Sequence, residues 1–442
     1  MKINHPMTYE QTLYFLYNQF PAYHRIGKAA YKANLENTIK LDNHTGNPHK
    51  KFKSIHVAGT NGKGSVSHMI ASIFQEAGYK TGLYTSPHLE DFRERIRING
   101  SMIPEEDVVD FVASNIEIIK FLKPSFFEIT VSMAFTFFAK SKVDIAVIEV
   151  GLGGRLDSTN IINPLLSVIT NIGYDHTDLL GDTLEKIANE KAGIIKKNVP
   201  VVISETQDET RNVFLSKAHQ QQSEIIFADQ NFTCTMKEDP EWKGERKFLA
   251  RDINKEILHE GVTVLTGDYQ AKNIMAVLQV FSILKGKMKF SRENILNGIK
   301  KVMMNTGLSG RWQILDTSPL IICDTGHNRE ALEYVIKQLS RIPKTDLHMV
   351  IGFVNDKDLT SVLPLFPADS IYYFTKASVP RALGEHILQA KAEEWGLKGK
   401  CYPEVKSALK AAKESARKTD VIFIGGSTFV VGDALQSIRV GC

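Results

Sequence analysis

Apolar and polar positions along the chain fall into blocks whose period changes, and the first two-thirds alternates strand-like with helix-like stretches. Ser54-Ile55-His56-Val57-Ala58 is a short, mainly apolar run ending at Gly59, which predicts a strand closed by a glycine turn. Behind the turn Val66, Met69, Ile70, Ile73, Phe74 and Ala77 recur on one helical face, and Gly78 is placed to end that helix. Further strands are expected at Thr81–Thr85, Val143–Val150, Leu165–Ile172 and Val199–Ser204, with helices at Phe126–Lys140 and Asp182–Lys196. The strands are apolar without a break, the pattern of a parallel sheet covered on both faces.

The rhythm breaks at Glu205–Glu260, which is polar and weakly periodic and reads as peripheral strands and loops on the first domain. Helical patterns return at Tyr269–Leu284 and from Ser291 to Met303, and Asn305–Gly310 reads as a linker. Alternation then restarts, with strands at Arg311–Leu315, Leu320–Asp324, His348–Phe353, Ile371–Thr375 and Val421–Gly425. The expected class is α/β. A P-loop-type domain with a mostly parallel sheet spans residues 1–304, a linker 305–310, and a smaller Rossmann-like α/β domain 311–442.

Composition narrows the function classes. A length of 442 residues suits two or three domains, and 43% hydrophobic with 24% charged residues is the balance of a soluble protein with real cores. The 54 basic and 50 acidic side chains leave a net charge of +4, too even to argue for a nucleic-acid partner. No stretch approaches the roughly 20 apolar residues that cross a bilayer. The first residues lack the compact apolar region of a signal peptide, and Cys234, Cys323, Cys401 and Cys442 form no CxxC pair. A cytoplasmic protein with reduced thiols, acting as a monomer without a membrane, is the expectation.

The strongest local signal is Gly59-Thr60-Asn61-Gly62-Lys63-Gly64-Ser65, between the first strand and the first long helix. Glycines let backbone N–H groups approach phosphate oxygens, the helix N-terminus adds its dipole and Lys63 a point charge. Ser65 offers a hydroxyl to Mg²⁺. Gly64 separates lysine from serine, unlike the general GxxxxGK[ST] spacing, and a plain glycine turn is the alternative. Gly151-Leu152-Gly153-Gly154 reads as a tight turn rather than a dinucleotide fingerprint. Ligands of open parallel sheets bind at the carboxyl ends of strands, where Ser86, Glu149 and Asp175-His176 are expected. Glu149 ends an apolar run and needs a cation or a hydrogen-bond partner there. His176 alone reads more readily as a structural histidine than as a ligand.

HVAGTNGKGSV, YTSPHL, EVGLGGRLDSTN, ITNIGYDHTDLLG and EKAGIIK, followed by GDYQAKN, SGRWQ, CDTGHN, DKD and GGSTFVVGD, run in order through the chain. This series resembles the folylpolyglutamate synthase/dihydrofolate synthase family, relatives of the ATP-dependent Mur ligases, over nearly the whole length. The resemblance implies that Gly62, Lys63, Gly64 and Ser65 hold the phosphates of ATP, and that Ser65, Ser86, Glu149 and His176 serve Mg²⁺. It implies a carbamate on Lys191 as an anionic ligand for a second Mg²⁺, against the alternative of an ordinary surface lysine. Asn273, Arg311 and Asp324 match nucleotide-contacting residues. His327 matches a histidine of the family's Asp-Gly-Ala-His-Asn segment, where this chain has Asp-Thr-Gly-His-Asn. The pterin is expected near Arg25, Ile26 and Gly27, at Phe126, Phe127 and Glu128, and at Leu156, Asp157 and Ser158. Rings could stack on it and carboxylates accept its N–H donors, with core packing the alternative for the two phenylalanines.

The activity implied is ATP-dependent addition of L-glutamate to dihydropteroate, to reduced folates or to both, through an acyl phosphate. Lys63, Lys191, His176, Asp324 and His327 are the candidates nearest the chemistry. A Mur-type peptide ligase is the rival within the fold, although about 50 residues before the loop are too few for its UDP-binding domain. A P-loop ATPase or kinase is the rival from another class.

Overall fold

The computed structural model describes residues 7–21, 27, 34–238, 242, 244–253 and 258–439. Arg25, Ile26 and Cys442 lie outside them. Among the described residues the first sheet contains β1 (Lys53–Ala58), β2 (Thr81–Tyr84), β3 (Ile96–Ile98), β4 (Ser101–Met102), β5 (Ile145–Glu149), β6 (Leu166–Ile169), β7 (Val201–Ile203) and β8 (Ile225–Phe227). Their order is β4-β3-β2-β5-β1-β6-β7-β8, parallel from β2 to β8 with β3 and β4 antiparallel at one edge. β9 (Phe232–Met236), β10 (Arg246–Asp252) and β11 (Leu258–Thr263) form a separate antiparallel sheet.

The remaining strands are β12 (Gln313–Thr317), β13 (Leu320–Cys323), β14 (Leu347–Ile351), β15 (Ile371–Thr375), β16 (Gly399–Tyr402) and β17 (Val421–Gly425). Their order is β12-β13-β17-β14-β15-β16, with only β12 antiparallel. Two parallel-rich sheets joined in sequence are the α/β class expected. No helix among the described residues is long and apolar enough to cross a membrane.

The helix Lys63–Glu76 is buried all round, not on one face. One side packs on the first sheet; the other is covered by Gln270–Leu284 and Arg292–Lys300, with Gly298 against Ile73. Two of its polar residues find partners there: Ser72 Oγ donates to Gly298 O (2.7 Å) and His68 Nδ1 lies 2.7 Å from Thr306 Oγ1. This explains why the segment expected to be a linker is partly helical. Val302–Thr306 is a short helix, Asn305 donates to Glu76 Oε1 (2.8 Å), and only Gly307–Trp312 runs free of regular structure before the second sheet.

The stretch Glu205–Glu260 does carry the peripheral strands expected, β9 to β11, but it holds more regular structure than loops and strands alone. It opens with a helix, Asp208–Gln221, and then β8 at the edge of the main sheet. Of that helix only Thr210, Phe214 and Ala218 are buried, a stripe one residue wide that leaves little periodic signal. The helix expected at Asp182–Lys196 is shorter, Leu184–Ala192, because Gly193 turns tightly against Arg155. Arg311 does not begin a strand; it lies in the turn before β12.

Candidate active site

The glycine-rich loop leaves the end of β1 between β5 and β6, where the chain turns to opposite sides of the sheet, the usual place for a ligand in such sheets. Gly62 has φ 87°, and a Cβ there would collide with Asn273 Oδ1, so this position needs glycine. Asn273 in turn donates to Gln270 Oε1 (2.8 Å), and Gln270 donates to Ser65 Oγ (3.2 Å). The expected residues Gly62, Ser65 and Asn273 therefore meet, through a glutamine that was not singled out. Thr170 Oγ1 donates to Asn61 O (2.5 Å) and Asn171 Oδ1 accepts from Asn61 N (2.8 Å), holding the loop to the end of β6.

Two amines converge on this loop. Lys63 Nζ donates to Gly59 O (3.0 Å) and Thr60 O (3.1 Å), and Lys191 Nζ donates to Gly59 O (2.8 Å). Lys191 is buried, which overturns the surface-lysine alternative; burial, aided by the Lys63 charge, pushes its pKa down to about 7. The buried Glu149 carboxylate closes the corner, receiving Ser86 N at 3.2 Å. Burial raises its pKa while Lys63 opposes the shift. Arg311 reaches in from the second sheet: Nη2 lies 3.3 Å from where a side chain on Gly64 would begin, and Nη1 donates to Thr325 Oγ1.

Asp324 is buried and doubly engaged. Oδ2 accepts from Tyr269 OH (2.6 Å) and Trp312 N (2.7 Å), and Oδ1 from Gly326 N (2.6 Å). Burial raises its pKa. Its position ties the turn that carries Arg311 to Tyr269 of the first domain.

His176 adopts φ 52° and its pKa is pushed down to about 4 by burial, so the ring is neutral at pH 7. Nε2 lies 3.8 Å from Asp175 Oδ2. Asp175, expected beside His176 at the strand end, also accepts across the domain boundary from Lys357 Nζ (2.7 Å) and lies 3.3 Å from His327 Nε2. Burial raises its pKa, but the histidines and Lys357 outweigh that and hold it well below the usual carboxylate range. The side-chain amides of Asn61 and Asn328 pair reciprocally at 3.2 and 2.9 Å. Asp175 stands at a strand end and Lys357 and Asn328 lie in sequence motifs, but their partners are not legible there, since each acts on a residue more than 150 positions away.

Between the carboxyl ends of the two sheets lies a cavity of about 1300 Å³. Ser86, Phe126, Phe127 and Ser158 line one wall; His327, Asp356, Arg381 and Ser427 the other. Gly27, Leu156, Asp157, Glu128 and His176 also reach it, whereas Lys63, Ser65, Glu149, Lys191 and Arg311 lie outside its lining. Phe126 is both wall and core: it is 2% exposed and stacked on Tyr17 with centroids 5.2 Å apart. The Phe127 ring lies directly over Gly151, where any side chain would collide with it.

Two carboxylates expected to meet the pterin already have structural work. Glu128 Oε2 accepts from Ser125 N (2.6 Å) in a capping box that starts the helix Phe126–Lys140. Asp157 accepts from Leu152 N (2.8 Å) and Thr159 N (3.0 Å), bracing its own turn. Among the described residues no group of three or more His, Cys, Asp or Glu side chains converges as a metal site. An Mg²⁺ ion bound with phosphate and water needs few protein ligands, and the buried Glu149 beside Ser86 suits it.

Residues 57–281 match the family model of the Mur ligase middle domain, and residues 310–428 that of the Mur ligase, glutamate ligase domain. The chain belongs to the Mur ligase family. Within it the chain is 31% identical over 427 residues to the dihydrofolate synthase/folylpolyglutamate synthase of Bacillus subtilis, covering 93% of this chain and 96% of the relative. It is 30% identical to a probable bifunctional folylpolyglutamate synthase/dihydropteroate synthase of Haloferax volcanii, covering 97% of this chain but 50% of that protein. E. coli FolC in complex with DHPP and ADP superposes with a TM-score of 0.85 at 26% identity, covering 98% of both chains. A bifunctional folylpolyglutamate synthase/dihydrofolate synthase with Mn, AMPPNP and L-glutamate bound gives 0.82 at 25% identity, again over 98% of both. This Mur ligase is an ATP-dependent enzyme of the folylpolyglutamate synthase/dihydrofolate synthase branch.

Proposed function

We propose that the ligase joins L-glutamate to the carboxylate of dihydropteroate, of reduced folates and their polyglutamates, or of both. The observation that carries this reading is Ser86. Its backbone N–H binds Glu149 in the phosphate corner, and the same residue lines the aromatic-walled cavity. A phosphoryl donor in the loop and an aromatic acid in the cavity would therefore meet at one point. The relatives bound to DHPP with ADP, and to AMPPNP with L-glutamate, support that pairing.

In the mechanism proposed, an acceptor carboxylate oxygen attacks the γ-phosphorus of ATP, an O–P bond forms and ADP leaves. The α-amine of glutamate then attacks the acyl carbon, and phosphate departs from the tetrahedral intermediate. Gly62, Gly64 and the N–H groups of the first helical turn would orient the phosphates. Lys63 and Arg311 would neutralise charge as it develops, with Asn273 holding the nucleotide beside Gly62. Ser65, Ser86, Glu149 and His176 would hold Mg²⁺, which supplies charge neutralisation on the phosphates. Only a neutral amine adds CO₂, and a pKa near 7 makes Lys191 suited to a carbamate and hence to a second Mg²⁺.

His327 stands at the cavity wall with Nδ1 2.9 Å from Thr325 O, and Asp324 acts by positioning Arg311. We place the division at domains 1–304 and 311–442, with Gly307–Gly310 as the hinge. A reducing, cytoplasmic setting is supported by the thiols of Cys234, Cys323 and Cys401, none of them in a disulfide, and we retain a monomer as the expected state. The deciding experiment measures ADP release with 7,8-dihydropteroate and with tetrahydrofolate, each with and without L-glutamate. Turnover that needs the acid and glutamate is expected. ATP hydrolysis independent of both would overturn the reading in favour of an ATPase.

A further inference from the structure

Arg95 is a buried cation that the proposed mechanism does not use. It ends the short 3₁₀ turn Phe92–Arg95, is 4% exposed, and lies on the cavity wall. Its Nε donates to His88 Nδ1 (2.7 Å), and its guanidinium carbon stands 5.4 Å from the centre of the Phe126 ring. The nearby carboxylates are engaged elsewhere. Asp91 binds Arg93 (2.7 Å), and Glu94 accepts from the N–H groups of Leu89 (2.8 Å), Glu90 (3.1 Å) and Asp91 (3.0 Å). Asp157 braces its own turn, and Glu149 feels Arg95 only at longer range. Among the described residues no ion pair involves Arg95.

A guanidinium withdrawn from water without a carboxylate partner is costly to hold. It is also a fork ready for a bidentate carboxylate. Its place on the wall is informative. Phe126, against which an aryl group would lie, is in contact with it, and Ser86, whose N–H binds Glu149 in the phosphate corner, lines the same cavity.

We propose that Arg95 is a specificity-determining residue that grips the carboxylate of the acceptor acid, between the Phe126 ring and the corner formed by Ser86 and Glu149. The His88 bond fixes the guanidinium through Nε and the buried Tyr84 hydroxyl lies against it, so the terminal amino groups have no carboxylate partner among the described residues and stay available to an anion. This assignment rests on reading the cavity as the site of a pterin acid, and it adds that the protein itself, not only a metal ion, selects an anionic acceptor.

The test compares binding of 7,8-dihydropteroate with that of its carboxamide, by fluorescence titration in the presence of a chelator so that no divalent cation contributes. The wild-type protein is expected to prefer the acid by roughly 30-fold, the worth of a charge-assisted hydrogen-bonded pair. Arg95→Gln should remove that preference while leaving carboxamide binding within about threefold, and Arg95→Lys should restore part of it. Equal affinity of the wild-type protein for acid and amide overturns the assignment with no variant needed. Parallel loss of both ligands in Arg95→Lys, with the thermal midpoint unchanged, overturns it too by showing a merely structural role. If the wild-type protein binds neither compound, the pterin reading itself fails, a result distinguishable from both.

Discussion

The phosphate corner and the acceptor cavity are built from different materials. The corner is mainly backbone: glycines, a helix start and strand ends, braced by short bonds from Thr170, Asn171 and Gln270. The cavity is mainly side chains from two sheets, with the Phe126 and Phe127 rings opposite Asp356 and Arg381. A corner of this kind offers one fixed arrangement to a group that never changes, the phosphate chain. A wall of side chains can be altered one residue at a time without disturbing the loop, which suits the part of the site that distinguishes acceptors. Loss of a corner residue should therefore abolish the reaction, and loss of a wall residue should change what is bound.

The sharpest way to break this contrast is Lys63→Ala. We expect amide formation to fall about a thousandfold or more, since a charge aimed at the transferring phosphate is lost, with the thermal midpoint little changed. Near-normal turnover in a discontinuous assay for product would sink the assignment of the corner. Lys191→Ala should follow with a loss of roughly a hundredfold, partly restored by acetate or formate standing in for the carbamate. In the wild-type protein the amine loses its proton as pH rises through about 7, so activity limited by CO₂ should climb across that range and flatten when bicarbonate is saturating. A pH profile indifferent to bicarbonate would count against the carbamate. Smallest is Phe127→Ala, expected to raise KM for the pterin acid roughly three- to tenfold, the worth of one aromatic contact, with KM for ATP unchanged. An equal rise in both would erase the distinction between corner and wall.

Much of the corner could be read before any coordinates, because glycine spacing and strand ends leave marks in the order of residues. Gly62, Lys63, Ser65, Asn273 and Arg311 do come together, although they span some 250 positions. The wall was read less well. Glu128 and Asp157, which the resemblance implies for the pterin, do line the cavity, but the helix cap and the turn brace that they also form leave no mark in the sequence. Asp175 is expected at its strand end and Gln270 and Lys357 lie in the motifs, but no role for them, or for Arg95, can be read from the sequence because their use depends on what the fold brings beside them. The same holds for the helix Asp208–Gln221, whose single buried stripe is too thin for periodicity to reveal.

The six-residue passage Gly307–Trp312 has a consequence for how little the two halves need to hold one another. A connection so short keeps their facing surfaces at an effective concentration on the order of millimolar or above. The amide pair of Asn61 with Asn328 and the bond of Lys357 to Asp175 then need not be strong individually to form. Each can be given up and regained in every cycle of substrate entry and product exit, because the covalent tether, rather than the contacts, supplies the odds of reunion.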